Sequence, residues 1–309
     1  MSIATSQQLN RYYDTFRSIS VTFTKEIIKS TGLQPQNVFI KCLGEQWPCV
    51  VYSSSFDEAK VLAPNRPGLM ERIAKSNNMV SLRLSFRVSE KSDPVTFFVG
   101  GRVSGFSPYA QSNGTLQFIA IQFTQRPPED FIEIIGRMLE ANVNATRRRA
   151  DRILLTPDSI RKIGLARKET TVLIDNVPRK CILRDLSFSG SKIIIMGLAK
   201  FLVGKSCQLR IDLEEPRETV AINGKVVRYE DVEGRKDLTA IAINYDEATV
   251  PLTYKMHLND YIGLKKNQSD DEQPGDAQQA PARDPVVTSG EPTVAALSGN
   301  QDTPVVDPS

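Results

Sequence analysis

An arginine cluster in the stretch ATRRRADRILL, residues 145–155, is the first group of residues that could bind a ligand. Arg148 and Arg152 form an R-x-x-x-R pair, and Arg147 and Arg149 add further positive charge. Arginine forks bind phosphate oxygens and the O6/N7 edge of guanine through paired hydrogen bonds, and the guanidinium plane stacks on purines. A purine nucleotide offers all three surfaces. Alone, such a cluster in a basic protein is usually a solvated linker or a nonspecific contact with polyanions.

A second set of candidate residues lies in the stretch CILRDLSFSGSKII, residues 181–194, where Asp185, Ser187 and Gly190 form a D-x-S-x-x-G motif. One interpretation is a tight turn, because Asp and Ser cap turns and Gly adopts unusual backbone angles. The other is a ligand site in which Asp185 accepts hydrogen bonds from the N1–H and N2–H₂ edge of guanine. Ser187 would then bond a polar ligand atom or hold the loop, and Gly190 would let the backbone approach the ligand. Together and in this order, the two motifs are more specific than either alone.

Other reactive residue types are scarce. The single histidine, His257, lies in a helical pattern where packing is the ordinary role, and we assign it no function. The four cysteines are widely spaced in apolar runs, without a C-x-x-C pair or a disulfide framework: Cys42, Cys49, Cys181 and Cys207. No Ser-His-Asp set or phosphate-binding loop stands out. We therefore expect no enzyme activity, no metal and no cofactor.

Short strands must position these motifs. In the second half, six β-rich segments are separated by Asn, Gly, Pro and Asp: Thr170–Ile174, Lys180–Arg184, Ser191–Met196, Cys207–Leu213, Thr219–Tyr229 and Leu238–Asn244. Strands at this spacing predict a small antiparallel barrel. A helix over Val250–Ile262 is predicted to follow.

The first half repeats this plan. A shift of 132 residues aligns CVVYSSSFDEAKVL, beginning at Cys49, with CILRDLSFSGSKII, beginning at Cys181. A shift of 122–123 aligns VGGRV with INGKV and LQFIAIQF with LTAIAINY. Both halves then enter a helix. We predict a mainly β protein with two tandem six-stranded antiparallel barrels, although chance similarity between β-rich segments remains the alternative. The motif positions of the first half hold Ser53, Ser55 and Glu58 instead.

Composition predicts the remaining divisions. From about residue 264 the chain is rich in Pro, Gln, Asp and Ser, which predicts a disordered tail. Residues 268–309 carry eight acids and one arginine, so the overall charge of +3 hides a body of about +10 that favours an anionic partner. The predicted divisions are residues 1–141, a linker over 142–152, a second barrel over 153–263, and the tail over 264–309.

The two motifs and the strands that follow them resemble the PilZ domain, a six-stranded barrel that binds the bacterial second messenger cyclic di-GMP. The resemblance covers about residues 145–262. It implies that Arg148 and Arg152 hold guanine edges and phosphates, while Asp185, Ser187 and Gly190 line the barrel face. The first half resembles the PilZ-like N-terminal domain of some two-domain members, including flagellar brake proteins. Since its motif positions depart from the family pattern, we expect it not to bind the nucleotide.

The resemblance implies a cyclic di-GMP receptor that acts on motility or related behaviour through an unidentified protein partner. Arg147 could stack on a second ligand molecule, and we expect Asn142–Thr146 to act as a pivot between the barrels. The N-terminus lacks the pattern of a secretory signal, and no apolar run approaches the ~20 residues of a membrane span. We therefore expect a cytoplasmic protein without membrane insertion. The alternative is a nucleic-acid-binding protein that uses the basic body, although no helix-turn-helix or aromatic ladder is evident.

Overall fold

The structure is a computed structural model that describes residues 4–88, 93–197 and 199–271. Within these residues the chain forms two β-rich domains, each accompanied by helices. Most of the predicted tail, residues 272–309, lies outside the described residues. No helix in the described part of the chain combines the length and the apolar character needed to cross a membrane.

The first domain is an open antiparallel sheet of eight strands in the order β1-β4-β5-β8-β7-β6-β2-β3. The strands are β1 Val21–Thr22, β2 Phe39–Cys42, β3 Glu45–Pro48, β4 Val50–Ser54, β5 Glu58–Pro64, β6 Met79–Phe86, β7 Val95–Pro108 and β8 Leu116–Phe123. The prediction of a closed barrel is wrong for this domain. The extended segment whose strand pairing would close the barrel is interrupted at Cys49. Strand β3 therefore pairs with β2, while β4 pairs with β1 and β5.

The helices of the first domain are α1 Ser6–Phe16, α2 Lys25–Thr31, α3 Pro67–Lys75 and α4 Glu129–Arg147. Phe131 and Ile135 of α4 follow helical spacing and are buried in the core. Helix α1 packs on α4, where the ring of Tyr12 lies so close to Gly136 that a Cβ there would be 2.5 Å from it. The Tyr12 hydroxyl donates to Glu140 at 2.9 Å.

The second domain is the predicted closed six-stranded antiparallel barrel, in the order β10-β13-β14-β15-β12-β11, with β10 pairing back to β11. Its elements are β9 Ile153–Leu154, α5 Pro157–Ile163, β10 Glu169–Ile174, β11 Val177–Leu186, β12 Gly190–Met196, β13 Ser206–Leu213, β14 Glu218–Val232, β15 Arg235–Tyr245 and α6 Leu252–Asp271. Strand β9 pairs with the C-terminal end of β11. Alternate residues of the strands, such as Ile193 and Ile241, fill a continuous apolar interior.

Two predicted boundaries need correction. Helix α4 continues through Arg147, so residues 142–147 are helical and cannot be the flexible pivot that we expected at Asn142–Thr146. Helix α6 continues to Asp271, past the predicted start of the tail at residue 264. Composition suggested an end there, but no proline or glycine occurs between Gly263 and Pro274 to stop the helix.

Side chains of α2 and α4 contact α6 and so join the two domains. Arg137 pairs with Asp260 at 2.6 Å, and the amide of Asn144 donates to Asn259 at 2.7 Å. Glu26 of α2 accepts a hydrogen bond from the backbone N–H of Leu252, the first residue of α6, at 2.7 Å. This contact satisfies an N–H that has no partner within its own helix.

Candidate functional site

Strand β9 brings the linker beside the D-x-S-x-x-G turn. Leu154 pairs with Asp185, and the residue two positions earlier, Arg152, forms an ion pair with the Asp185 carboxylate at 2.5 Å. Asp185 lies at a β-bulge, and the same oxygen, Oδ1, also accepts from the backbone N–H of Lys192 at 3.1 Å. The other oxygen, Oδ2, has no hydrogen-bond partner among the described residues, so the carboxylate is fixed and still able to accept.

The arginines ahead of β9 are held in different ways. Arg147 lies exposed in the last turn of α4, and Arg148 caps that helix; neither guanidinium has an ion-pair partner among the residues that the structure describes. Arg149 pairs with Glu247, and its carbonyl accepts a hydrogen bond from the Ser189 hydroxyl at 2.7 Å. The linker therefore lies against the turn, with ion-paired guanidinium groups at Arg149 and Arg152 and, within the described residues, none paired at Arg147 or Arg148.

Ser187 and Gly190 shape the turn itself. Ser187 is 1% exposed, and its hydroxyl donates to the Gly190 carbonyl at 3.0 Å, while Tyr254 of α6 donates to the Ser187 carbonyl at 2.8 Å. Of the two roles considered for Ser187, these hydrogen bonds correspond to holding the loop. A Cβ on Gly190 would lie 2.4 Å from the carbonyl oxygen of Ile243. The glycine permits close approach to β15, a constraint that the sequence motif did not reveal.

Two charged residues that the sequence analysis did not select complete this face of the barrel. The ammonium of Lys192 on β12 contacts Glu230 on β14 at 2.6 Å. The hydrogen bond from Lys192 is the main cause that lowers the pKa of Glu230 below its ordinary value. Neither residue belongs to a motif, and only the strand register, once known, places Lys192 beside Asp185 and Glu230 on the far side of β15.

A separate cleft of about 840 Å³ lies on the second barrel. Its walls include four carboxamide side chains, Asn176, Gln208, Asn223 and Asn244. None of the six predicted site residues lines it. The candidate site is therefore an open surface of the barrel and its linker, separate from this concavity.

Comparisons with known proteins identify both domains. Residues 7–142 match the model of the PilZN3 domain, and residues 146–263 match that of the PilZ domain. A Treponema denticola protein named cyclic di-GMP binding protein is 44% identical over 271 residues, which span 88% of this chain and 86% of that protein. The chain therefore belongs to the PilZ family, with a PilZN3 domain preceding the PilZ domain.

Two solved structures cover most of the chain at lower similarity. The PlzA protein of Borreliella burgdorferi in complex with c-di-GMP is 22% identical, covering 83% of this chain and 98% of that one, with a TM-score of 0.38. YcgR of Escherichia coli in complex with c-di-GMP is 12% identical, covering 86% and 92%, with a TM-score of 0.28.

Proposed function

We propose that this protein is a cyclic di-GMP receptor whose nucleotide binds on the second barrel, between the arginine linker and the D-x-S-x-x-G turn. The observation that carries the proposal is the Arg152–Asp185 ion pair, which places the two motifs in contact on an open face of the barrel. The name of the Treponema denticola relative supports the choice of ligand.

The roles follow from the contacts. Arg148 and Arg152 donate to phosphate oxygens and guanine edges, and Asp185 accepts from the guanine N1–H and N2–H₂ groups through Oδ2. Ser187 and Gly190 act through the shape of the turn. Arg147 extends from the end of α4, and its guanidinium pairs with no carboxylate in the described ranges of the chain; we propose that it stacks on a second, intercalated nucleotide. A calorimetric stoichiometry of two per chain is expected.

Calorimetric titration with cyclic di-GMP tests the site. Arg152→Ala and Asp185→Ala should each weaken binding at least tenfold, since a charge-assisted hydrogen bond contributes about 1.5–3 kcal/mol. Arg235→Ala is the matched control, because it breaks another surface Arg–Asp pair on the same barrel, with Asp237 at 2.8 Å. If both site variants bind as tightly as the control, the site is elsewhere. A long RNA that displaces the nucleotide at physiological salt would favour a nucleic-acid-binding protein instead.

We further propose that binding changes the arrangement of the two domains and so controls an unidentified protein partner in the cytoplasm, in motility or a related process. Arg148 lies at the junction of α4 and the linker, and α4 is hydrogen-bonded to α6 through Asn144 and Asn259, so a ligand held by Arg148 acts on a helix that contacts the second domain. The pivot is then residues 148–151. A ligand shifts this equilibrium only by its different affinities for the two arrangements. Label-to-label distances between the domains should change on saturation; an unchanged distribution refutes the coupling.

A further inference from the structure

The Lys192–Glu230 ion pair lies across the part of β15 where two alanines point outward. Lys192 on β12 is opposite Ala242 of β15, and Glu230 on β14 is opposite Ala240 of the same strand. Alternation along β15 places Ile241 and Ile243 inside the barrel and the two alanines outside. We call Ala240 and Ala242 the alanine floor.

The ion pair covers this floor. Its partners belong to the strands on either side of β15, and their charged groups meet at 2.6 Å, so the side chains bridge the strand between them. Ala240 is 7% exposed and Ala242 is 3% exposed, although both belong to the outer face of the barrel. The floor is continuous with the site, because the backbone N–H of Lys192 donates to Asp185.

The first domain has a different arrangement at the same place. By the register of the repeat, Lys60 corresponds to Lys192 and Phe118 to Ala240. The Lys60 ammonium lies 4.3 Å from the centre of the Phe118 ring, which occupies the space above the strand. In both domains, therefore, the lysine at this position extends toward the neighbouring strand. The size of the side chain on that strand determines whether the lysine contacts an aromatic ring or extends across the strand to an acid.

Resting on the proposed function, we infer that Lys192 is a further ligand-binding residue, whose ammonium exchanges Glu230 for a phosphate of the bound nucleotide. Swinging the lysine away uncovers the alanine floor, where a flat base can lie against two methyl groups. Glu230 competes with the ligand for Lys192 and repels its phosphates, so it lowers the affinity. The Lys192 side chain is 23% exposed and that of Glu230 is 46% exposed, so solvent screens the pair and it contributes little to folding, which leaves it free to exchange.

Calorimetry with cyclic di-GMP on the full chain tests this exchange through four variants. Lys192→Met, which keeps the aliphatic stem, should weaken binding about tenfold, and Lys192→Arg should recover most of that loss. Glu230→Gln should tighten binding about two- to fivefold, because the lysine is freed and a repulsive charge is removed. Lys236→Met removes the same charge from an exposed hairpin of the same barrel and should change binding less than twofold.

The outcomes separate this inference from the proposed function. A parent chain that does not bind cyclic di-GMP overturns both. Loss of binding in Arg152→Ala together with unchanged binding in Lys192→Met overturns only the role of Lys192. Weaker binding in Glu230→Gln overturns the exchange, because Glu230 would then contact the ligand itself. Equal losses in Lys192→Met and Lys236→Met would reveal a nonspecific charge effect and overturn it as well.

Discussion

The two domains share strand register and bulge positions to the level of single residues, but only the second closes into a barrel, and their outer faces differ. Glu58 pairs with Gln122 in the first domain as Gly190 pairs with Asn244 in the second, and the β-bulges fall at corresponding positions. Helices α2 and α5 both end at a glycine in the left-handed region, Gly32 and Gly164. The shared register and helix ends thus keep the strand framework, and the residues of the outer face can change without altering that framework.

The changes on that face remove the charged pair and the glycine of the candidate site, while the serine of the motif is kept as Ser55. Where the second domain has the Arg152–Asp185 pair, the register of the repeat places Ser20 and Ser53 in the first. An anchor of the linker is kept: the carbonyl of Arg17 accepts a hydrogen bond from Phe56 at 3.1 Å, as that of Arg149 accepts one from the opposing turn. Anchoring the linker is therefore a property of the fold, while charge at its end belongs to the site.

The largest effect on ligand binding is expected when the aromatic residue of the first domain is introduced at the equivalent position of the second. Ala240→Phe should reduce cyclic di-GMP binding about a hundredfold, because the ring fills the alanine floor, while every motif residue remains in place. The reciprocal Phe118→Ala should leave binding unchanged and serves as the control. Calorimetry of both variants measures the effect. Full affinity in Ala240→Phe would mean that the ligand does not use this floor.

Substituting the glycine of the motif tests the difference between the domains through the stability of the protein. Gly190→Ala should lower the free energy of unfolding by about 1–3 kcal/mol, because its Cβ would lie 2.4 Å from the Ile243 carbonyl oxygen and the strands must separate. Gly105→Ala in the first domain has no atom within 4 Å of the new Cβ and should change stability little. Denaturant unfolding compares the two. Equal stabilities would contradict the close strand approach.

The smallest effect is expected at the cysteines that share one repeat position. Burial raises the pKa of Cys49 to about 12 and that of Cys181 to about 12. At pH 8 almost no thiolate is therefore present at Cys49 or Cys181, and thiolate is the reactive form. Iodoacetamide should therefore label neither cysteine in the folded protein, and its reaction should rise only as the pH approaches 12 or the chain unfolds. Rapid labelling of Cys49 alone would show that the strand break beside it opens.

The second barrel and the repeat could be predicted from the sequence because both depend on alternating apolar residues. This alternation reflects which side of each strand is buried. It could not predict that the first sheet stays open, since the interruption at Cys49 occurs inside a run that reads as continuous strand. The two motifs could be selected from their sequence, and the structure brings Arg152 and Asp185 into contact, while their roles in binding stay a prediction. Lys192 and Glu230 are 38 residues apart and meet only through the order of the strands, which no local pattern contains.

The cap that Glu26 places on α6 has a consequence for how the chain divides. Leu252 lies within the stretch that matches the PilZ domain, yet it is buried in the apolar core of the first domain. A fragment cut between the two matched domains would carry away a piece of its neighbour's interior and expose the uncapped start of a helix. The evolutionary module and the cooperative folding unit therefore have different borders. A gene fusion joined at the border of the evolutionary module would still disrupt the folding unit.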